Sequence, residues 1–411
     1  MDPDEALAVA FLEKFQTKQY AKLGLPLPQV DSEFDETSIE NLGFPTGVDT
    51  AAFLDAARFA HSAGSLAPGS RYDAPAMRGY LTEIGREIRD FITPSLNVKQ
   101  PIFGLSPLLS PNACVIDHKQ SGRHIIVFQR GLVPYFMEAI IALVRASPFE
   151  NGFRDCPLEH LIFSEHWLPI ERMNRAVPAL LLAVLNGMTG RPAECRAIVQ
   201  NLYDPECLNY EPSAAQLDLA IKIQDSVSGF VLAHEYGHIL APMGLSIAGA
   251  FGKFEGFSEA ETEEALRSYA EEAYADRIGT KLALARSASR RAGPECSYLG
   301  ITLFFELSHL LDRCIALMRD GVIRGVDELD SLTHPPLITR KREAEEEIAR
   351  MNGDPLDTER GKAISDAFAS VIKLFWSTAK PLCEEWHRRN LVSDLLPEYR
   401  LRPVAPQPRK A

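Results

Sequence analysis

The sequence predicts an α+β protein, mostly helical, with a small antiparallel sheet packed on a pair of helices. Three observations carry this. Long stretches place apolar residues at helical spacing along most of the chain. Only three short segments, 98–105, 112–117 and 124–129, read as strands, and the polar link HKQSG between the last two is a hairpin turn. Finally, Ser226–Leu240, SVSGFVLAHEYGHIL, is a helix so apolar that other elements must surround it.

Taken in order, residues 4–23 form an amphipathic helix with Leu7, Ala10, Phe11, Phe15 and Tyr20 near one stripe. The Pro-, Asp- and Glu-rich segment 26–47 is an extended connector. Helices follow over 50–63 and over 74–91. The second carries Tyr80, Ile84, Ile88 and Phe91 on its apolar face and is ended by Pro94. These make an N-terminal helical subdomain, residues 1–95. Residues 96–353 hold the sheet, a helix over 132–145 and the helices that carry the chemistry. An insertion over 146–213 contains a helix 170–185, with Pro178 inside it and Gly187 after it. It either thickens the core or walls a cleft.

The apolar helix spans 216–240. Gly244, Gly249, Gly252 and Gly256 then mark a loop. Ser258 and Glu261 have the spacing of a capping box for a helix running to about 285. Further helices cover 298–318, 337–351 and 358–389. Residues 354–411 form a C-terminal helix and a basic, Pro-rich mobile tail.

Composition excludes several classes. The 411 residues are 46% hydrophobic and 24% charged, ordinary for a globular protein. A net charge of −13 argues against nucleic-acid binding, which relies on Lys and Arg. The acidic start MDPDEALAVAFLEKF has no basic region before an apolar run, so no secretory signal is expected. The longest apolar run, 176–185, is about half of the ~20 residues that span a bilayer. The seven cysteines lack paired spacing and read as free thiols, which points to a reducing, cytoplasmic setting.

The chemistry lies in His234, Glu235 and His238, within HEYGH. Residues four apart share a helix face, so both imidazoles can reach one ion, and zinc suits them. Glu235, beside the first histidine, can hold the attacking water as general base. A catalytic zinc needs a third protein ligand and one open position. Glu272, in SYAEEAYAD, is the best candidate, on a return helix crossing the first. Asp276 shares its face and can fix the tautomer of a ligand histidine.

These residues resemble the gluzincin metallopeptidases of the HtpX and CAAX-processing group. The resemblance rests on HEYGH, on Ser268, Glu272, Ala275 and Asp276 in S-x-x-x-E-x-x-A-D, on Pro111-Asn112-Ala113 followed by a hairpin and Arg130-Gly131-Leu132, and on Thr333-His334-Pro335-Pro336 with Arg340. It implies one zinc ion per chain, held by His234, His238 and Glu272, with Glu235 as base and Asp276 behind the ligands. It also puts His334 and Arg340 near the cleft. His334 is then the first candidate to stabilise the oxyanion, and Tyr236 the second. The edge strand at Asn112 and Ala113 would pair with an extended peptide. The expected function is a zinc endopeptidase acting on a protein or peptide, with a regulatory protein partner. The other reading is a non-catalytic regulator on the same scaffold.

Overall fold

The structure, a computed structural model, describes residues 2–30, 50–92, 96, 98–149, 153, 170–204, 208, 212–241, 259–290, 293–322, 335–351 and 355–390. Among them are eleven helices and three strands, so the protein is α+β and mostly helical.

Helix α1, Pro3–Lys22, starts at a reciprocal cap: Asp2 accepts from the Glu5 amide at 2.7 Å, while the Glu5 carboxylate faces the Asp2 amide. Its buried face is Ala8, Val9, Leu12, Gln16 and Tyr20. This differs from the expected stripe, since Leu7 is 50% and Phe11 36% exposed. The sheet decides the rotation. Leu12 seats over Gly104, and Gln16 donates to both Asp73 (2.7 Å) and the Leu105 carbonyl (2.8 Å).

Helices α2, Thr50–Leu66, and α3, Pro75–Asp90, pack on each other. Ile84 and Ile88 are fully buried, whereas Phe91, expected on that face, is 42% exposed.

The sheet comprises β1, Ile102–Ser106, β2, Ala113–His118, and β3, Arg123–Gln129, in the order β1-β3-β2. The hairpin β2–β3 is antiparallel as expected, but β1 runs parallel to β3, so the sheet is mixed. The link after β1 carries the chain past the neighbouring position, and the hairpin return lays β3 there in β1's direction. One face, Ile102, Ile125 and Val127, packs on Ala8 and Leu12 of α1. The other, Phe103, Ala113, Ile126 and Phe128, joins the helical core.

Helix α4, Leu132–Ala146, buries Leu132, Tyr135, Phe136, Ala139, Ile140 and Leu143, three and four apart. Helix α5, Ile170–Thr189, runs through Gly187 instead of stopping before it. A Cβ at Gly187 would meet the Tyr135 ring at 2.7 Å, so the glycine admits that ring, and the chain turns at Gly190 instead, where φ is +67°. Helix α6, Pro192–Gln200, follows. Leu181, Val184, Leu185 and Met188 of α5 are fully buried in the central core, so this part of the insertion thickens the core.

Helix α7, Ala214–Leu240, is capped reciprocally by Ser213 and Gln216 and is buried nearly all round, against α3, α4 and β2. Around it lie α8, Glu259–Arg290, and α9, Pro294–Asp320; then come α10, Leu337–Met351, and α11, Pro355–Arg389. Buried Arg286 of α8 bonds to Glu87 of α3 (2.7 Å) and Asp225 of α7 (2.9 Å), tying three helices together. No helix among the described residues is long and apolar enough to cross a membrane. Cys114, Cys195, Cys296, Cys314 and Cys383 are free thiols, as expected. Residues 31–47 of the connector, the glycine loop, the Ser258 cap and the C-terminal tail lie outside the described residues, as do Cys156 and Cys207.

Candidate metal centre

The last turns of α7 and the middle of α8 cross almost backbone to backbone. A Cβ on Gly237 would sit 2.6 Å from the Ala275 Cα, and one on Gly279 would sit 2.9 Å from the His234 Cα. Two side chains are missing where two helices meet, and that closeness brings Glu272 to the histidines. Phe230, Val231, Leu232, Ile239 and Leu240 bury the rest of α7, as the sequence suggests.

His234 and His238 share a face, with Nε2 atoms 3.0 Å apart. Glu272 places Oε2 3.6 Å from His234 Nε2 and Oε1 3.5 Å from His238 Nε2. Four donors about 2.1 Å from one ion at tetrahedral angles stand about 3.4 Å apart. The three donors therefore fit one zinc ion, and two imidazoles with a carboxylate are a donor set that zinc accepts. The other expected residues fall behind them. Asp276 Oδ1 lies 2.9 Å from His234 Nδ1. Arg340 grips Asp276 with two hydrogen bonds, Nε donating at 2.7 Å and Nη2 at 2.8 Å. The same Nη2 stands 3.1 Å from Glu272 Oε2. One guanidinium thus touches both a candidate ligand, Glu272, and the carboxylate beside another, His234.

Electrostatics follow from burial and this arginine. Burial would raise the Asp276 carboxyl, but Arg340 and His234 outweigh it and hold the group below the usual range. Burial would likewise lower Arg340, yet Asp276, Glu272 and Glu235 keep it cationic. Burial raises Glu235, opposed by His234 and His238. That carboxylate is 3% exposed, and its Oε2 has no hydrogen-bond partner among the described residues. Such an atom is costly unless something else comes to it. Behind the ligands, Phe230 faces His234 with ring centroids 6.4 Å apart, and Arg340 lies over the Phe305 ring at 5.6 Å.

Asn112 precedes and Ala113 opens β2, the strand that packs beside α7. The Asn112 carbonyl accepts from the Gln129 amide at 2.9 Å, and the Ala113 side chain is turned into the core. Cys114 comes next, solvent-exposed. His334 lies outside the described residues. Tyr236, the second oxyanion candidate, is corrected: it is fully buried and its hydroxyl donates to the Gly85 carbonyl at 3.0 Å, facing away from the metal donors.

Sequence reading missed Gly279. Its signal was its place three residues after Asp276 on the same face, which matters only once the crossing is known. Compared with protein-family models, with curated proteins and with solved structures, the chain matches none.

Proposed function

We propose that the chain is a zinc-dependent endopeptidase of gluzincin type, hydrolysing peptide bonds of a protein substrate. The observation that carries this reading is Glu235. A buried carboxylate oxygen without a hydrogen-bond partner among the described residues stands beside a His-His-Glu donor set with the spacing of zinc ligands. A site that only held an ion would have no use for such a group.

His234, His238 and Glu272 would hold the ion. When bound, zinc supplies a Lewis acid that polarises the scissile carbonyl and makes a water ionisable at neutral pH. Glu235 Oε2 takes the proton of the attacking water and passes it to the leaving amine. Asp276 keeps the proton of His234 on Nδ1, which leaves Nε2 free as a donor. Arg340 holds Asp276 ionised and keeps Asp276 and Glu272 in place. His334 is proposed to stabilise the oxyanion, and the unpaired side of β2 to align the peptide.

The test is casein cleavage with zinc quantified in parallel. Wild type should bind about one zinc per chain and cut casein. Glu235→Gln should keep the zinc and lose about 10²- to 10⁴-fold in rate. Full activity in that variant would refute the mechanism. Zinc without cleavage by wild type would leave the regulatory reading.

A further inference from the structure

The β2 edge has two sides, and the one facing α1 carries an apolar surface. Pairing fixes which residues share it: Cys114 lies opposite Val127 and Ile116 opposite Ile125, and both partners belong to the cluster under α1. Residues 114, 116 and 118 therefore face α1. There, Ile116 and Phe15 are partly buried against that cluster, and Phe11 packs on the His118 ring at 4.7 Å between centroids. Leu7 and Phe11 are left 50% and 36% exposed, one helical turn apart. The surface runs along the strand from Cys114 to the hairpin end at His118.

We infer that this shelf, Leu7, Phe11, Phe15, Ile116 and the exposed Cys114, selects apolar side chains at alternate positions of an extended peptide laid along β2. The inference rests on the reading of β2 as the substrate-aligning edge. The occupant follows from two features of one surface. The outer edge of β2 pairs with no other strand among the described residues, so its outward N–H and C=O groups suit an added strand. Every second side chain of such a strand, about 6.8 Å apart, would point to the α1 side. Leu7 and Phe11 stand at the hairpin end, so the shelf reads residues several positions from the scissile bond. Backbone pairing alone reads no sequence, and the shelf supplies the choice.

Binding can be measured on Glu235→Gln, so that cleavage does not consume the probe. The probes are two fluorescein-labelled peptides with lysine ends, one alternating Leu and Thr, the other Ala and Thr. The leucine peptide should bind about tenfold tighter. Adding Phe11→Ser and Leu7→Ser, both exposed positions, should bring the two affinities within about threefold, with zinc content unchanged, and Phe11→Leu should keep the preference. An undiminished preference in the serine variant, or no preference in the parent, overturns the shelf. Casein cleavage separates the two ideas: no leucine preference in the parent, or one that survives the serine substitutions, with wild-type cleavage intact sinks only the shelf, and a shelf-dependent preference without cleavage sinks only the peptidase.

Discussion

Asp276 bonds to Arg340 through both carboxylate oxygens, and one of them also stands beside His234 Nδ1. An asparagine there would turn an N–H₂ either toward the guanidinium or toward the imidazole. In the second case the ring proton moves to Nε2, the atom needed for the metal. Asp276→Asn should therefore weaken zinc binding by about 10- to 100-fold, read by competition with a chelator. An unchanged affinity would show that His234 is oriented by something else. The residues of this chain of contacts were legible in the sequence because each spacing is local: four residues from His234 to His238 and four from Glu272 to Asp276. Arg340 was legible only through its motif, since nothing local says that an arginine on α10 reaches back to α8. Tyr236 was ambiguous for the opposite reason. Helical phase places it on the far side of α7, but only the structure supplies Gly85 as its acceptor.

Helix crossings decide what local spacing cannot. Glycine to alanine in a helix ordinarily stabilises by roughly 0.5–1 kcal/mol. At Gly279 the added methyl would meet the His234 Cα and amide nitrogen, both at 2.9 Å, and backbone cannot step aside cheaply. Gly279→Ala should lose about 1–3 kcal/mol in urea unfolding and lower zinc affinity, because α7 and α8 must part. A stabilised variant with normal zinc would refute the tight crossing. The strands and most helices were readable from periodicity, with ends displaced by a few residues. The parallel placement of β1 and the rotation of α1 were not, since both depend on which segment the chain packs against later. Gly187 illustrates the same limit: it looked like a helix end and is a seat for Tyr135.

At the scale of the molecule, α1 is joined to the sheet through Asp73, whose carboxylate accepts from Gln16 at 2.7 Å and from the Leu105 amide at 3.0 Å. Burial, opposed by those hydrogen bonds, raises this carboxyl from 3.8 to about 6. The folded state thus holds the proton more tightly than the unfolded chain. The stability this gives is fully present below pH about 4 and is lost as pH rises through about 6, up to about 3 kcal/mol. Urea unfolding of wild type and Asp73→Asn from pH 4 to 7 should differ in slope across that window, the variant being flatter. Parallel curves would show that Asp73 does not titrate there. If the chain carries zinc as proposed, chelation should lower the melting temperature to an extent set by the lost binding free energy, while the apolar packing around α7 keeps the chain folded at 25 °C.

The second helix of the chain, α2, packs chiefly on α3. In turn α3 is fastened to the paired helices at two points, by the Tyr236 hydroxyl on Gly85 and by Arg286 on Glu87. Those two bonds set where the outer pair of helices stands against the crossing of α7 and α8, and cutting one of them with Tyr236→Phe should cost about 1 kcal/mol in urea unfolding.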